Sequence, residues 1–182
     1  MNPHLSLSGT RMRPGDLLAQ GTAGASAADG DGNRAMAIRL LDEAQMIARG
    51  VAARCERQYC AALRNHSPAL AAAALEHAND ARLQADSLGA RIAALGGTPA
   101  APPGAGAPRN PLDPRDGNSL VAVIGGYLVA GHATIESYRR IATFMQPCDR
   151  PTQALLEGIV SGEEERASQL AALLDQVTAP LT

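Results

Sequence analysis

Glu163-Glu164-Glu165-Arg166 is the run in this chain whose residue types come nearest to chemistry. A Glu-x-x-His step puts a carboxylate and an imidazole one turn apart on a helix face. Two such steps, with a further glutamate from each of two other helices, hold a pair of metal ions inside a helix bundle. Glu163-x-x-Arg166 keeps the carboxylate but carries a guanidinium in place of the imidazole. Arginine stays protonated and has no lone pair to donate.

The remaining soft donors are sparse. Cys55, Cys60 and Cys148 are an odd set without zinc-type spacing, as expected of reduced thiols in a cytoplasmic protein. His77, His132 and Cys55 could supply a soft-metal or small-ligand site in the middle of a bundle, but no spacing demands it. An ordinary core histidine and a small apolar thiol are the simpler readings.

The elements that would position these residues are helical. The 182-residue chain suits one domain, and its abundant alanine with a single Phe and no Trp suits helices packed closely together. Sixteen basic and eighteen acidic residues leave a net charge of -2. With basic residues dispersed and only Arg11 and Arg13 near the start, nucleic acid is not an expected partner. A membrane is not expected either, since the apolar residues 120–130 are few and interrupted by Gly125 and Gly126.

Residues 1–33, rich in Gly, Ala, Ser and Asp, read as a flexible arm. The bundle is expected over 34–178, with helices over 34–65, 68–95, 118–146 and 151–177. The first carries Leu41, Ala44, Ala48, Val51, Cys55, Tyr59 and Ala62 on one stripe; the second carries Leu70, Ala74, His77, Ala81, Gln84, Leu88, Ile92 and Leu95. Ser67-Pro68 marks a helix start and Gly96-Gly97 a helix stop. Residues 96–117 hold six prolines, too many for a helix and too long a stretch for a tight turn. Such a segment reads as a crossover between helices that run the same way. Leu120, Ile124, Leu128, Gly131, Ile135, Tyr138, Ala142 and Met145 form the third stripe, and Leu156, Ile159, Glu163, Arg166, Leu170, Leu173 and Val177 the fourth.

Several segments resemble one known family. They are Leu40-Leu41-Asp42-Glu43-Ala44, Leu75-Glu76-His77-Ala78-Asn79, Ala90-Arg91-Ile92-Ala93-Ala94-Leu95-Gly96-Gly97-Thr98-Pro99, Tyr127-Leu128-Val129-Ala130, Ile135-Glu136-Ser137-Tyr138-Arg139 and Glu163-Glu164-Glu165-Arg166-Ala167. In this order they are similar to bacterial ferritin-like proteins of the bacterioferritin and Dps-like group, over about residues 36–175. The resemblance implies an all-α, ferritin-like four-helix bundle: two antiparallel helix pairs joined by a long crossover.

It also implies where a di-iron site would lie. The six ligand positions correspond to Ala48, Ala81, Gln84, Gly131, Glu163 and Arg166, so five of six ligands are lost and only Glu163 is retained. A tyrosine that family members carry two turns along the first helix is matched by Cys55, and the methionine that holds haem in bacterioferritins is matched by Arg82. Neither di-iron nor haem is therefore expected, and no catalytic residue. Arg166 is expected to fill the emptied metal space as the ion-pair partner of Glu163, with Gln84 as a further hydrogen-bond partner.

The expected function is that of an iron storage and detoxification protein without ferroxidase activity, serving as a structural or assembly subunit. It would form a homo-oligomer, or a mixed oligomer with an active ferritin-like paralogue. The alternatives are a ferroxidase built on displaced ligands (Glu43, Glu76, Asp80, Glu136 and Glu164) and a small-ligand or soft-metal binder in the vacated centre.

Overall fold

The computed structural model describes residues 14–101, 119–146 and 149–179, with side chains from residue 30 onward. Four helices follow one another: α1 (Pro14–Arg64), α2 (Pro68–Ala94), α3 (Leu120–Met145) and α4 (Arg150–Thr178). Two compact units divide the chain, Met1–Met36 and Ala37–Thr182. Helix α1 begins at Pro14 rather than at Arg34. Proline suits a first helical turn, and alanines among the glycines sustain the helix that follows. Residues 30–36 of α1 are all exposed. The arm's first thirteen residues, most of the crossover and Cys148 lie outside the described residues.

Within the second unit the helix ends follow local chemistry. Ser67 caps α2 by accepting from the Leu70 amide, with Pro68 just inside the helix. At the other end Gly96 adopts φ +80 and the Gly97 amide bonds back to the Ile92 carbonyl at 2.9 Å. Only glycine takes that left-handed turn without strain. Ser119 caps α3. Asp149 caps α4 one residue ahead of Arg150, slightly earlier than the Pro151-Thr152 start read from the sequence.

The inward stripes form two apolar clusters. One joins Leu41, Ala44 and Ala48 to Leu88, Ile92, Tyr138, Met145 and Leu156. The other joins Cys55, Ala62, Leu70, Ala81, Ile124, Tyr127 and Leu170. Along α3 and α4 the buried polar residues Thr134 and Glu163 fall between the two clusters. The third stripe is turned slightly from its expected course: Tyr127, Thr134 and Ile141 are buried, whereas Leu128 and Gly131 are only half-buried. On α4, Val177 is exposed at 37% rather than inward.

Helix α3 has the length and composition of a membrane span, with a mean hydropathy of 1.3 over eighteen residues. The shorter apolar run read from the sequence understated it, because the helix continues through Thr134 and Ile135 beyond residue 130. Eight of its residues pack into the bundle.

Candidate functional site

One side chain from each helix enters a buried polar chain. Cys55 on α1 and Tyr127 on α3 are joined by a hydrogen bond between Sγ and Oη at 3.1 Å. The same phenol oxygen lies 2.5 Å from His77 Nδ1 on α2, and His77 Nε2 lies 2.9 Å from Glu163 Oε1 on α4. The His77 and Tyr127 rings lie almost parallel, 8° apart. All four residues are buried, Cys55 completely.

Electrostatics sets the direction of this chain. Burial pulls the His77 imidazole down, but the nearby Cys55 sulfur and the hydrogen bond and negative charge of Glu163 outweigh that pull and push its pKa up to about 9. Burial, reinforced by Cys55 and Glu163, drives the Tyr127 phenol far above its ordinary value. An imidazolium donates from both nitrogens. His77 therefore donates to Glu163 and to Tyr127 Oη, and the phenol hydrogen is left to point at Cys55 Sγ. The arrangement is a buried ion pair extended by two neutral hydrogen-bonding groups.

The expected partnership of Glu163 with Arg166 is not formed. Arg166 instead reaches across to Asp80 on α2 at 2.5 Å, while Glu163 belongs to His77. The reason is the cost of burying a full guanidinium charge. Arginine's long stem lets its head run to the bundle flank, where its side chain is 19% and that of Asp80 41% exposed. Gln84 does not bond Arg166 either; Gln84 Oε1 and Arg166 Nε are buried without a hydrogen-bond partner among the described residues.

Ala48, Ala81 and Gly131, which the sequence resemblance sets at ligand positions, have no side-chain donor. Ala48 and Ala81 are completely buried, and Gly131 is half-buried on α3 with nothing within 4 Å of where a Cβ would stand. Arg82 is at the surface, bonded to Asn79 and Glu56. His132 is exposed, as are Glu43, Glu76, Glu136 and Glu164. Among the described residues no group of three or more His, Cys, Asp and Glu is arranged to hold a metal ion.

Sequence reasoning placed His77 and Cys55 inward but missed what joins them. Tyr127 is that link, and it stands one residue before the position assigned to the third stripe. The signal available was its polar ring within an apolar helix: a buried tyrosine needs a partner for its hydroxyl.

The family model described as Ferritin, ferritin-like domain, matches residues 59–179. Among solved structures, the chain is similar to a mutant of Dps1 from Mycobacterium smegmatis, at 20% identity and a TM-score of 0.69, covering 79% of this chain and 98% of that one. It is similar to the Desulfovibrio desulfuricans bacterioferritin, solved with its diiron site in different catalytic states, at 19% identity and a TM-score of 0.70, covering 81% and 83%. A tetragonal form of Mycobacterium smegmatis Dps aligns at 19% identity and a TM-score of 0.70, covering 84% and 94%. At these identities the likeness is one of fold. No curated protein sequence matches the chain.

Proposed function

The chain belongs to the ferritin family through its ferritin-like domain, and on that premise we propose that it is an iron-storage-type bundle that does not oxidise iron and acts as a structural or assembly subunit. The observation that carries this reading is the engagement of Glu163. The one carboxylate retained at the family's ligand positions is tied to His77 at 2.9 Å.

The donor chemistry around it does not fit a pair of iron ions. Ala48, Ala81 and Gly131 have no lone pair to offer, and hard cations buried together need several carboxylates. The nearby cations oppose metal as well. A unit positive charge about 4 Å from a divalent ion costs roughly 8 kcal/mol at an effective dielectric of 20. Displaced carboxylates are a poor substitute, since Glu43, Glu76, Glu136 and Glu164 are exposed and Asp80 is bound to Arg166. Haem has no methionine at Arg82, whose guanidinium is occupied at the surface.

Assembly is the remaining role, as a homo-oligomer or together with an active ferritin-like paralogue in the cytoplasm. The exposed apolar side chains of Met46, Leu83 and Val129, at 67%, 64% and 73%, are compatible with subunit contacts. Aerobic addition of ferrous iron, followed by absorbance and metal analysis, tests the reading. The expected outcome is oxidation at the buffer rate and no stoichiometric di-iron species. A burst of two irons per chain would overturn it.

A further inference from the structure

The outward face of α1 carries a regular pattern that no other element covers among the described residues. Glu43, Met46, Gly50, Ala53, Arg57 and Cys60 recur at alternating steps of three and four residues, and all six are exposed. That spacing is the seam along which one helix packs lengthwise on another. We propose that this seam is the contact between two copies of this chain, with α1 lying antiparallel on the partner's α1 about a two-fold axis at Gly50. The proposal rests on the assembly role proposed above and names the face that carries it.

Charge selects the occupant and its direction. Glu43 and Arg57 stand seven residues to either side of Gly50, each about 10 Å along the helix. Arg57 donates to the Ala53 carbonyl of its own helix at 3.0 Å, and neither it nor Glu43 forms an ion pair among the described residues. A two-fold axis at Gly50 sets Glu43 against the partner's Arg57 and Arg57 against the partner's Glu43, giving two symmetry-related ion pairs. In a parallel pair each would face its own like, which costs affinity. Arg39, the next charge outward on the seam, falls opposite the partner's Ala61, so no directly opposed pair has like charge. A uniformly acidic or basic partner would satisfy one of the two charges and repel the other. The chain's own face answers both.

Packing favours the same axis. Nothing lies within 4 Å of the position a Cβ would take at Gly50, so the backbone is bare where the two helices would cross, and glycine lets them approach closely. Met46, 67% exposed, then lies over the partner's Ala53. Leu83, 64% exposed on α2, widens the apolar strip. The bond from Gln45 to the Ala85 carbonyl and the ion pair of Glu56 with Arg82 set it level with this stretch of α1. The centre of the face is thus apolar and its two ends are oppositely charged, the arrangement of an interface core within a polar rim.

Sedimentation of the full-length protein tests the face. The unmodified chain is expected to run as a dimer or a multiple of one. Glu43→Arg and Arg57→Glu should each weaken association about 10- to 100-fold. The two together should restore it, a recovery that loss of folding cannot produce, and circular dichroism should show unchanged helix content throughout. Gly50→Cys, with Cys60 and Cys148 changed to serine, should form an interchain disulfide on oxidation, because only a position at the axis brings its own copy within bonding distance. An oligomer indifferent to both single reversals, a double reversal as weak as the single ones, or no cross-link through position 50 each overturns the proposal while leaving assembly through another face. A monomer overturns the assembly role as well. Ferrous-iron oxidation is measured separately and is unaffected by either result.

Discussion

Raising the His77 imidazole from 6.5 to about 9 makes the folded core hold a proton that the unfolded chain gives up more easily. The stability so gained is fully present below pH 6.5 and is lost as pH rises through 9. A shift of this size corresponds to about 3 kcal/mol. Denaturant unfolding measured from pH 6 to 10 should show that decline, and Glu163→Gln should flatten it by removing the facing charge. A pH-independent midpoint in the unmodified protein would contradict the ion pair. The inward placement of Glu163 and His77 was legible from helical spacing, but their pairing was not. Spacing says that Glu163 and Arg166 share a face; it does not say that a guanidinium on a long stem will run to the flank while the shorter carboxylate stays inside. The choice depends on desolvation costs across three helices, which no single helix pattern encodes.

Helix α4 shows how an element boundary is secured from elsewhere in the fold. Asp149 caps it, receives hydrogen bonds from the Thr152 amide and hydroxyl, and is gripped by both carboxylate oxygens from Arg91 of α2 at 2.8 and 2.7 Å. Burial would raise the Asp149 carboxyl, but the bonds from Arg91 and Thr152 outweigh it and hold its pKa below the ordinary value. Its contribution therefore has the opposite sign to that of His77, present at neutral pH and lost on acidification through the carboxylate range. Asp149→Ala should cost about 2 to 4 kcal/mol, combining a lost cap with a lost charge-assisted bond; thermal or denaturant unfolding measures it. A cost within about 0.5 kcal/mol, typical of surface substitutions, would refute the clamp. The helix itself was readable from Leu156, Ile159 and Leu170, and its approximate start from Pro151. Arg91 as the residue that fixes that start was not readable, because the two lie fifty-eight residues apart and only the packed bundle brings them together.

For the molecule as a whole, the order of helices and the crossover composition were enough to indicate a ferritin-like bundle, since those features follow from short-range chemistry: apolar period, caps and prolines. The beginning of α1 at Pro14 was missed because a glycine-rich composition argues against helix without forbidding it. The family was legible through the matched segments around the crossover, whereas the replaced ligand residues bear on the proposed function alone. The buried chain from Cys55 through Tyr127 and His77 to Glu163 has a kinetic consequence. It draws one member from each of four helices, so it can close only after all four have docked in register. Interactions of that kind are absent from an early, partly assembled transition state, and their loss accelerates unfolding while leaving folding almost untouched. In stopped-flow experiments His77→Gln should raise the unfolding limb and leave the refolding limb in place, with a φ-value near zero. A slowed refolding limb would instead mean that this polar chain forms early. As a late-closing latch, the chain from Cys55 to Glu163 would lengthen the lifetime of the folded bundle without hastening its formation.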